Sequence, residues 1–152
     1  SGKRALAGLE IPPLVKTPFG IGKQECIRLA QEARINVVPL RADKLITAAG
    51  QVTIVESMRM GRAVIASHCN GAEDYIIHGK TGLLVKPGSV QELADAIELL
   101  WNDANFRNRL GQAAKSYAAE YFSDEASGAA MGKILNQAAD LFEVTSTWEL
   151  TH

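Results

Sequence analysis

Cysteine, proline and tryptophan are scarce in this chain, and neither sign of charge is in excess. Its two cysteines, Cys26 and Cys69, lie far apart in the sequence, with no CxxC pair and no histidines at zinc-type spacing. Because disulfides and metal sites need suitably spaced partners, this pattern disfavours both. We therefore expect two buried thiols, no metal and no other cofactor.

Long apolar runs and a signal-peptide core are also missing. No stretch reaches the roughly 18 to 20 apolar residues of a membrane span, and the amino-terminal sequence SGKRALAGLE has no apolar core. The 16 Lys and Arg residues nearly balance the 17 Asp and Glu residues, so no broad field would attract nucleic acid or an anionic membrane. These absences favour a cytoplasmic protein without a transmembrane segment or a nucleic-acid partner.

The residues that are present are typical of one soluble domain. The chain has 152 residues, 47% of them hydrophobic and 22% charged, which suits a single core. Short apolar runs bounded by turn residues predict buried strands at residues 35–40, 63–66 and 82–85. A weaker strand is predicted at Val15 to Phe19, and helices are predicted over Lys23 to Ala33 and Gly50 to Met60. This alternation predicts an α/β fold, a Rossmann-like, doubly wound parallel sheet of about four strands.

Three carboxyl-terminal helices are predicted after this sheet, in a region from about residue 90 to 142 that contains no proline. Ser89 and Glu92 have the spacing of a capping box, and Asp103 and Ser123 are predicted to cap the next two helices. The last helix has an apolar face that must pack on something, formed by Met131, Ile134, Leu135, Ala138, Leu141 and Phe142.

Bulky apolar side chains outside that face are assigned to the core. Met58 and Met60 are predicted to belong to a packed helix, and Trp101 and Tyr117 to anchor the terminal helices to the sheet. We expect residues 1–143 to form one domain and residues 144–152 a loosely held tail.

The stretch after the strand at 35–40 has the local features of an anion site. A loop containing Ala48, Ala49 and Gly50 follows the strand, and a helix begins near Gly50. Ligands of open α/β sheets bind at such strand ends, where helix amides and the helix dipole favour a phosphate. Glu56 lies about 9 Å further along the helix, a reach that suits ribose hydroxyls. From spacing alone, a solvated helix residue is the favoured interpretation of Glu56.

Two longer stretches resemble a known family. The sequences VESMRMGRAVIASHCNGAEDYIIHGKTGLLVKPGSVQELADAI and RLGQAAKSYAAEYFS resemble the nucleotide-sugar-binding half of family 4 glycosyltransferases of the GT-B fold, over residues from about 35 to 135. The resemblance implies a metal-independent enzyme that transfers a glycosyl unit from a nucleotide diphosphate sugar to an acceptor hydroxyl. This chain would be the donor-binding portion of such an enzyme.

The resemblance also implies roles for particular residues. Two Glu residues separated by seven others mark the family's donor site, and the second, which binds the ribose, corresponds to Glu56. The first corresponds to Ala48, so the carboxylate that the family places against the transferred sugar is missing. Gly50, Gln51 and Val52 match the family's loop of backbone amides that meets the phosphates and sugar. The resemblance also decides for a helix at Gln51 to Met60, because the residues Val52 to Val55 by themselves have a strand-like composition.

Other segments matched by the resemblance carry less chemistry. Gly71 and Glu73 lie in a turn that the family places near the cleft, and a structural role is favoured for Gly71. Residues 78–82 are expected to form a turn only. The basic side chains of the region are interpreted as solvated surface: Arg59, Arg62, Lys80 and Lys86.

The resemblance also implies that much of the enzyme precedes residue 1, including an amino-terminal GT-B domain and the opening units of the donor domain. We therefore expect little or no transfer by the chain alone, and a homodimer or other homo-oligomer because a sheet edge is uncovered. The alternative is a non-catalytic, degenerate GT-B module that serves assembly or partner binding. A response-regulator-like domain is disfavoured, because no cluster of Asp residues follows the strands.

Overall fold

The computed structural model describes residues 13–16, 18, 20–40, 50–69 and 71–149, with the side chains of the last helix described to residue 140. The chain forms two compact units, Ser1–Ala33 and Arg34–His152. The described part of the first unit contains helix α1 (Lys23–Glu32), which has no buried residue. Among the described residues, no helix is both long enough and apolar enough to cross a bilayer.

The second unit contains a parallel sheet of three strands in the order β1-β2-β3. The strands are β1 (Ile35–Val38), β2 (Ala63–Ser67) and β3 (Leu83–Val85). The helices are α2 (Gln51–Arg59), α3 (Val90–Asn102), α4 (Ala104–Tyr121) and α5 (Asp124–Glu149), with a 3₁₀ turn at Ala72–Asp74. The predicted α/β fold with a parallel sheet and three carboxyl-terminal helices is confirmed.

The described part of the sheet has three strands where about four were predicted. Val15, Lys16 and Pro18 have no strand structure, while Thr17 and Phe19 lie outside the described residues. Proline has no amide hydrogen to donate, so Pro18 disfavours a paired strand at this position.

Strand β2 lies at the centre of the sheet and is buried along its whole length. One face of the sheet packs against α2 and α4 in a cluster that includes Val38, Ile54, Met58, Val64, Ala66, Ala114 and Ala118. The other face packs mainly against α3 in a second cluster, formed by Ala63, Ile65, Leu83, Val85, Ala96, Leu100 and Leu110. Because successive side chains of a strand point to opposite faces, alternate residues of β2 enter the two clusters.

All three predicted helix caps are present. The Ser89 hydroxyl accepts from the amide of Glu92 at 3.2 Å and the Asp103 carboxylate accepts from Phe106 at 2.8 Å. The Ser123 hydroxyl accepts from Ala126 at 3.0 Å.

The capping box predicted at Ser89 is only half formed. The Glu92 carboxylate accepts from the amide of Lys86 at 2.6 Å, while the amide of Ser89 donates to the Lys86 carbonyl at 3.0 Å. The reciprocal bond of a capping box is therefore replaced by a bond to the end of β3.

Three side chains differ from their sequence assignments. Trp101 is 57% exposed, and Leu100 is the α3 residue that is fully buried. The Trp101 ring instead lies 4.9 Å from the Arg34 guanidinium carbon, in a cation–π contact. Cys26, predicted to be buried, is exposed on α1, and Cys69 is half-buried.

Helix α5 leaves the described part of its predicted apolar face exposed. Met131, Ile134 and Leu135 are 56%, 58% and 60% exposed. The helix continues to Glu149, through much of the segment from residue 144 that was expected to be a loose tail. Helix α5 contacts α4, but these apolar side chains remain accessible to a further partner.

Helix α4 approaches the turn before β2 very closely. A Cβ atom built on Gly111 would lie 2.3 Å from the carbonyl oxygen of Gly61. Backbone therefore meets backbone here, and a side chain at Gly111 would push α4 away from the sheet.

Replacing Gly111 with Ala is expected to lower the free energy of unfolding by about 2 kcal/mol, since the added methyl group overpacks a rigid backbone contact. Urea unfolding followed by circular dichroism measures the change. Gly128→Ala is the matched control, because Gly128 lies in exposed helix α5 with no atom within 4 Å of its Cβ position. The control is expected to be neutral or stabilising by about 0.5–1 kcal/mol, and equal losses in both variants would contradict the close-contact interpretation.

Candidate nucleotide-binding site

Gly50 occupies the N-cap of α2, the first described helix after β1. Its φ of +74° lies in the left-handed region, and a Cβ atom would lie 2.8 Å from Val38 Cγ1 and 3.1 Å from Leu40 Cδ2. The position therefore requires glycine for two reasons, its left-handed dihedral angle and its close approach to the side chains at the end of β1. The Gly50 carbonyl accepts the first helical hydrogen bond, from Ile54 at 2.9 Å.

The start of α2 suits an anion. Gly50 provides no side-chain cap, and the first turn of the helix has no acidic residue to offset the positive end of the dipole. Val52, in this first turn, is 72% exposed. Gln51 and Val52 thus lie where the sequence placed them, at a helix start that follows the carboxyl end of a parallel strand.

Glu56 lies one turn beyond Val52 on the same helix. The two residues are separated by four positions and so share a face, while the opposite face buries Ile54 and Met58 in the core. Glu56 is half-buried, which distinguishes it from a fully solvated helix residue. The structure brings Gly50, Gln51, Val52 and Glu56 together on α2, whereas Ala48 and Ala49 lie outside the described residues.

Ser67 is a residue of this region that the sequence did not single out. It is only 4% exposed, and its hydroxyl oxygen accepts from the amide of Leu40 at 3.0 Å. This bond joins the carboxyl ends of β1 and β2, and it satisfies an amide just beyond the last paired residue of β1. The only sequence signal was a hydroxyl residue at the end of an otherwise apolar run.

A cavity of about 200 Å³ lies at the carboxyl ends of all three strands, on the α3 side of the sheet. Its walls include Leu40, Ser67, Val85, Lys86 and Ser89. Open α/β sheets bind ligands at this edge. A wider depression of about 630 Å³ lies at the turn between α3 and α4. Helix α3 ends at this turn, where Trp101 contacts Arg34 just before β1. The depression therefore lies at the amino edge of the sheet, opposite the cavity at the carboxyl edge.

The turn after β2 contains the two remaining candidates. Gly71 has a φ of +80° and precedes the 3₁₀ turn, which supports a conformational role. Glu73 is exposed. Burial and, to a smaller extent, the Glu73 carboxylate raise the pKa of the Cys69 thiol. A raised pKa reduces the thiolate fraction at neutral pH, so this environment does not favour a nucleophilic role for Cys69.

The turn at residues 78–82 is confirmed, and side chains hold it in place. Nδ1 of His78 accepts from the amide of Leu84 at 3.0 Å, and the Thr81 hydroxyl accepts from the amide of Ile77 at 2.9 Å. Arg59, Lys80 and Lys86 are exposed as predicted. Arg62 differs, since its Nε is buried and has no hydrogen-bond partner among the described residues. Across the described ranges of the chain, no three His, Cys, Asp or Glu side chains cluster as metal ligands.

Residues 3–117 match the family model of glycosyl transferases group 1. The chain belongs to this glycosyltransferase family. Among its curated relatives, α-D-kanosaminyltransferase of Streptomyces kanamyceticus is 35% identical over 92 residues, which are 60% of this chain and 22% of that protein. This glycosyltransferase chain thus spans about a fifth of the length of that relative.

Solved structures place this glycosyltransferase chain in the same fold group. Sucrose-phosphate synthase from Thermosynechococcus elongatus is 31% identical, with a TM-score of 0.62 over 72% of this chain and 26% of that one. HepE from Anabaena, solved with UDP and glucose, is 24% identical, with a TM-score of 0.64 over 72% of this chain and 29% of that one. The parallel sheet and its helices are therefore structurally similar to GT-B glycosyltransferases.

Gly50→Ala is expected to destabilise the chain more than Gly88→Ala. Both positions have a left-handed φ, +74° and +77°, but only Gly50 has neighbouring atoms within 4 Å of its Cβ position. In both variants the left-handed dihedral angle should lower the free energy of unfolding by roughly 1–2 kcal/mol. Overpacking against Val38 and Leu40 should lower it by about 1–3 kcal/mol more in Gly50→Ala. Thermal and urea unfolding measure the difference, and equal losses would mean that contact with β1 is not required.

Proposed function

We propose that the chain is the nucleotide-sugar-binding portion of a family 4 glycosyltransferase. The start of α2 at Gly50 binds the diphosphate and Glu56 accepts hydrogen bonds from the ribose hydroxyls. One observation carries this proposal: a helix start with a glycine N-cap and no acidic residue in its first turn lies on the same helix as a half-buried carboxylate, at the carboxyl edge of a parallel sheet.

UDP is the nucleotide with which to test the site. HepE, whose fold is similar, was solved with UDP and glucose. An anion at Gly50 and a ribose near Glu56 would be separated by about 9 Å along the helix, at 1.5 Å for each of six residues. This separation is compatible with a nucleoside diphosphate that lies along the first two turns of α2.

The reaction of the whole enzyme would move a glycosyl unit from the nucleotide to an acceptor hydroxyl. Ala48 leaves the site without the carboxylate that similar enzymes place against the transferred sugar. We therefore propose that this polypeptide binds donor nucleotide but does not by itself turn over a sugar nucleotide. Its partner would be an amino-terminal GT-B domain, in a cytoplasmic enzyme that needs no metal.

Glu56→Ala is expected to weaken UDP binding by about 10- to 100-fold, as befits the loss of hydrogen bonds to a charged group. Ligand-observed NMR titration of the full chain measures the affinity. Glu98→Ala, which removes an exposed carboxylate from α3, is the matched control and should bind like the parent chain. The 2′-deoxy analogue of UDP should bind the parent chain more weakly and be less sensitive to Glu56→Ala.

Inorganic pyrophosphate tests the phosphate-binding part of this site separately from the ribose-binding part. Because it has no ribose, its binding should be unaffected by Glu56→Ala. Equal affinity of the parent chain and Glu56→Ala for UDP would contradict the ribose role. Absence of binding by UDP, GDP and ADP would contradict the donor site as a whole.

The second candidate function is a non-catalytic module for assembly, in which the donor site has decayed. The exposed side chains of Met131, Ile134 and Leu135 on α5 favour it, because apolar groups on one helix face are typical of a packing surface. The occupant of this face would be a second copy of the chain.

In that case Ile134→Lys combined with Leu135→Lys is expected to convert a dimer into a monomer, since two charges would be buried at the contact. Sedimentation velocity at high micromolar concentration measures the mass. Asn136→Lys introduces one lysine on another face of α5 and should leave the dimer intact. A parent chain that is monomeric throughout would refute this candidate.

A further inference from the structure

Strand β3 is the last strand of the sheet in its described part, with its outer edge away from β2. The Val85 carbonyl accepts from the amide of His68, just after β2, at 2.8 Å, so the backbone groups of Val85 face β2. Since successive residues of a strand direct their backbone groups to opposite edges, the groups of Leu84 and Lys86 face outward. An outward row of amides is a template for pairing with another strand.

Each of the alternate outward positions has a hydrogen-bond partner. The Gly82 carbonyl accepts from the amide of Gly79 at 2.8 Å. The amide of Leu84 donates to Nδ1 of His78 at 3.0 Å, and the amide of Lys86 donates to the Glu92 carboxylate at 2.6 Å. The two partners of the amides are side chains from separate elements, the turn before β3 and the first turn of α3.

Steric cover by the described residues does not account for the protection of this edge. A groove of about 280 Å³ lies beside β3 and is lined by His78, Leu84, Glu92, Asp95 and Leu99, among others. His78 and Glu92 are themselves exposed. The edge is therefore accessible, and its amides are occupied by hydrogen bonds.

We propose that His78 and Glu92 act together to block strand addition at the outer edge of β3. Each side chain supplies an acceptor that takes the place of a carbonyl oxygen of an incoming strand. Without these acceptors the amides of Leu84 and Lys86 would be open, and the occupant of the edge would be β3 of a second copy of this chain. This blocking of the β3 edge is independent of the proposed nucleotide binding at Gly50 and Glu56.

The test compares two double variants of the full chain. His78→Ala with Glu92→Ala removes both acceptors, while His78→Asn with Glu92→Gln retains an oxygen acceptor at each position. Hydrogen exchange of the Leu84 and Lys86 amides is followed by NMR over a range of protein concentrations, together with sedimentation velocity.

In the Ala variant at low concentration, both amides are expected to exchange about tenfold faster, as for the loss of one hydrogen bond each. At high concentration the exchange should slow again as the mass rises, because the newly paired edges protect the same amides. The Asn and Gln variant should behave like the parent chain. Unchanged exchange in the Ala variant, or faster exchange with no gain in mass at any concentration, would overturn the proposal.

The parent chain supplies a measurement that needs no variant. An acceptor at Nδ1 requires that this nitrogen carry no proton, so ¹⁵N chemical shifts of the His78 ring should report an unprotonated Nδ1. A protonated Nδ1 at neutral pH would overturn the role of His78 even if the Ala variant fails to fold.

Discussion

Burial of β2 on both faces is the constraint on which the rest of the second unit depends. All five residues of this strand are at most 4% exposed, so each face must be covered by helices. Helices α2 and α4 cover one face and α3 covers the other, with Gly61 and Gly111 permitting the close approach of α4. Burying one Val or Ile side chain contributes about 1.5–3 kcal/mol, so this central strand accounts for a substantial part of the stability. Because both faces are occupied by helices, the carboxyl edge of the sheet is where a ligand can approach the strand ends.

Local signals allowed much of this architecture to be predicted. The strands β1, β2 and β3 are short apolar runs between turn residues, and the caps at Ser89, Asp103 and Ser123 are local hydrogen bonds that need only a suitable side chain. The prediction of a strand at Val15 to Phe19 was wrong for the residues that the structure describes. It gave too little weight to Pro18, which cannot donate a backbone hydrogen bond. The assignment of Trp101 failed for another reason: which of two adjacent bulky residues faces the sheet depends on the rotation of α3, and packing places Leu100 inward.

The candidate site was predictable to the extent that it depends on one helix. Gly50, Gln51, Val52 and Glu56 follow from where α2 begins, and the structure places that start at Gly50. Ser67 was missed because its partner, Leu40, is 27 residues away and the bond forms only once β1 and β2 are paired. The hydrogen bonds of His78 and Glu92 were missed for the same reason. Both side chains accept from amides on the outer edge of β3, and local sequence does not reveal which edge of a strand is unpaired.

The bond from Leu40 to Ser67 also links the start of α2 to the central strand. Leu40 contacts the Cβ position of Gly50 and is itself held by a hydroxyl group of the central strand. A molecule that fixes the start of α2 would therefore favour the conformation in which β1 and β2 are joined. By mass action, ligand at one hundred times its dissociation constant adds about 2.7 kcal/mol to the free energy of unfolding. At the proposed site, nucleotide binding at the helix start and pairing of β1 with β2 would be thermodynamically linked, so the melting temperature would itself report binding.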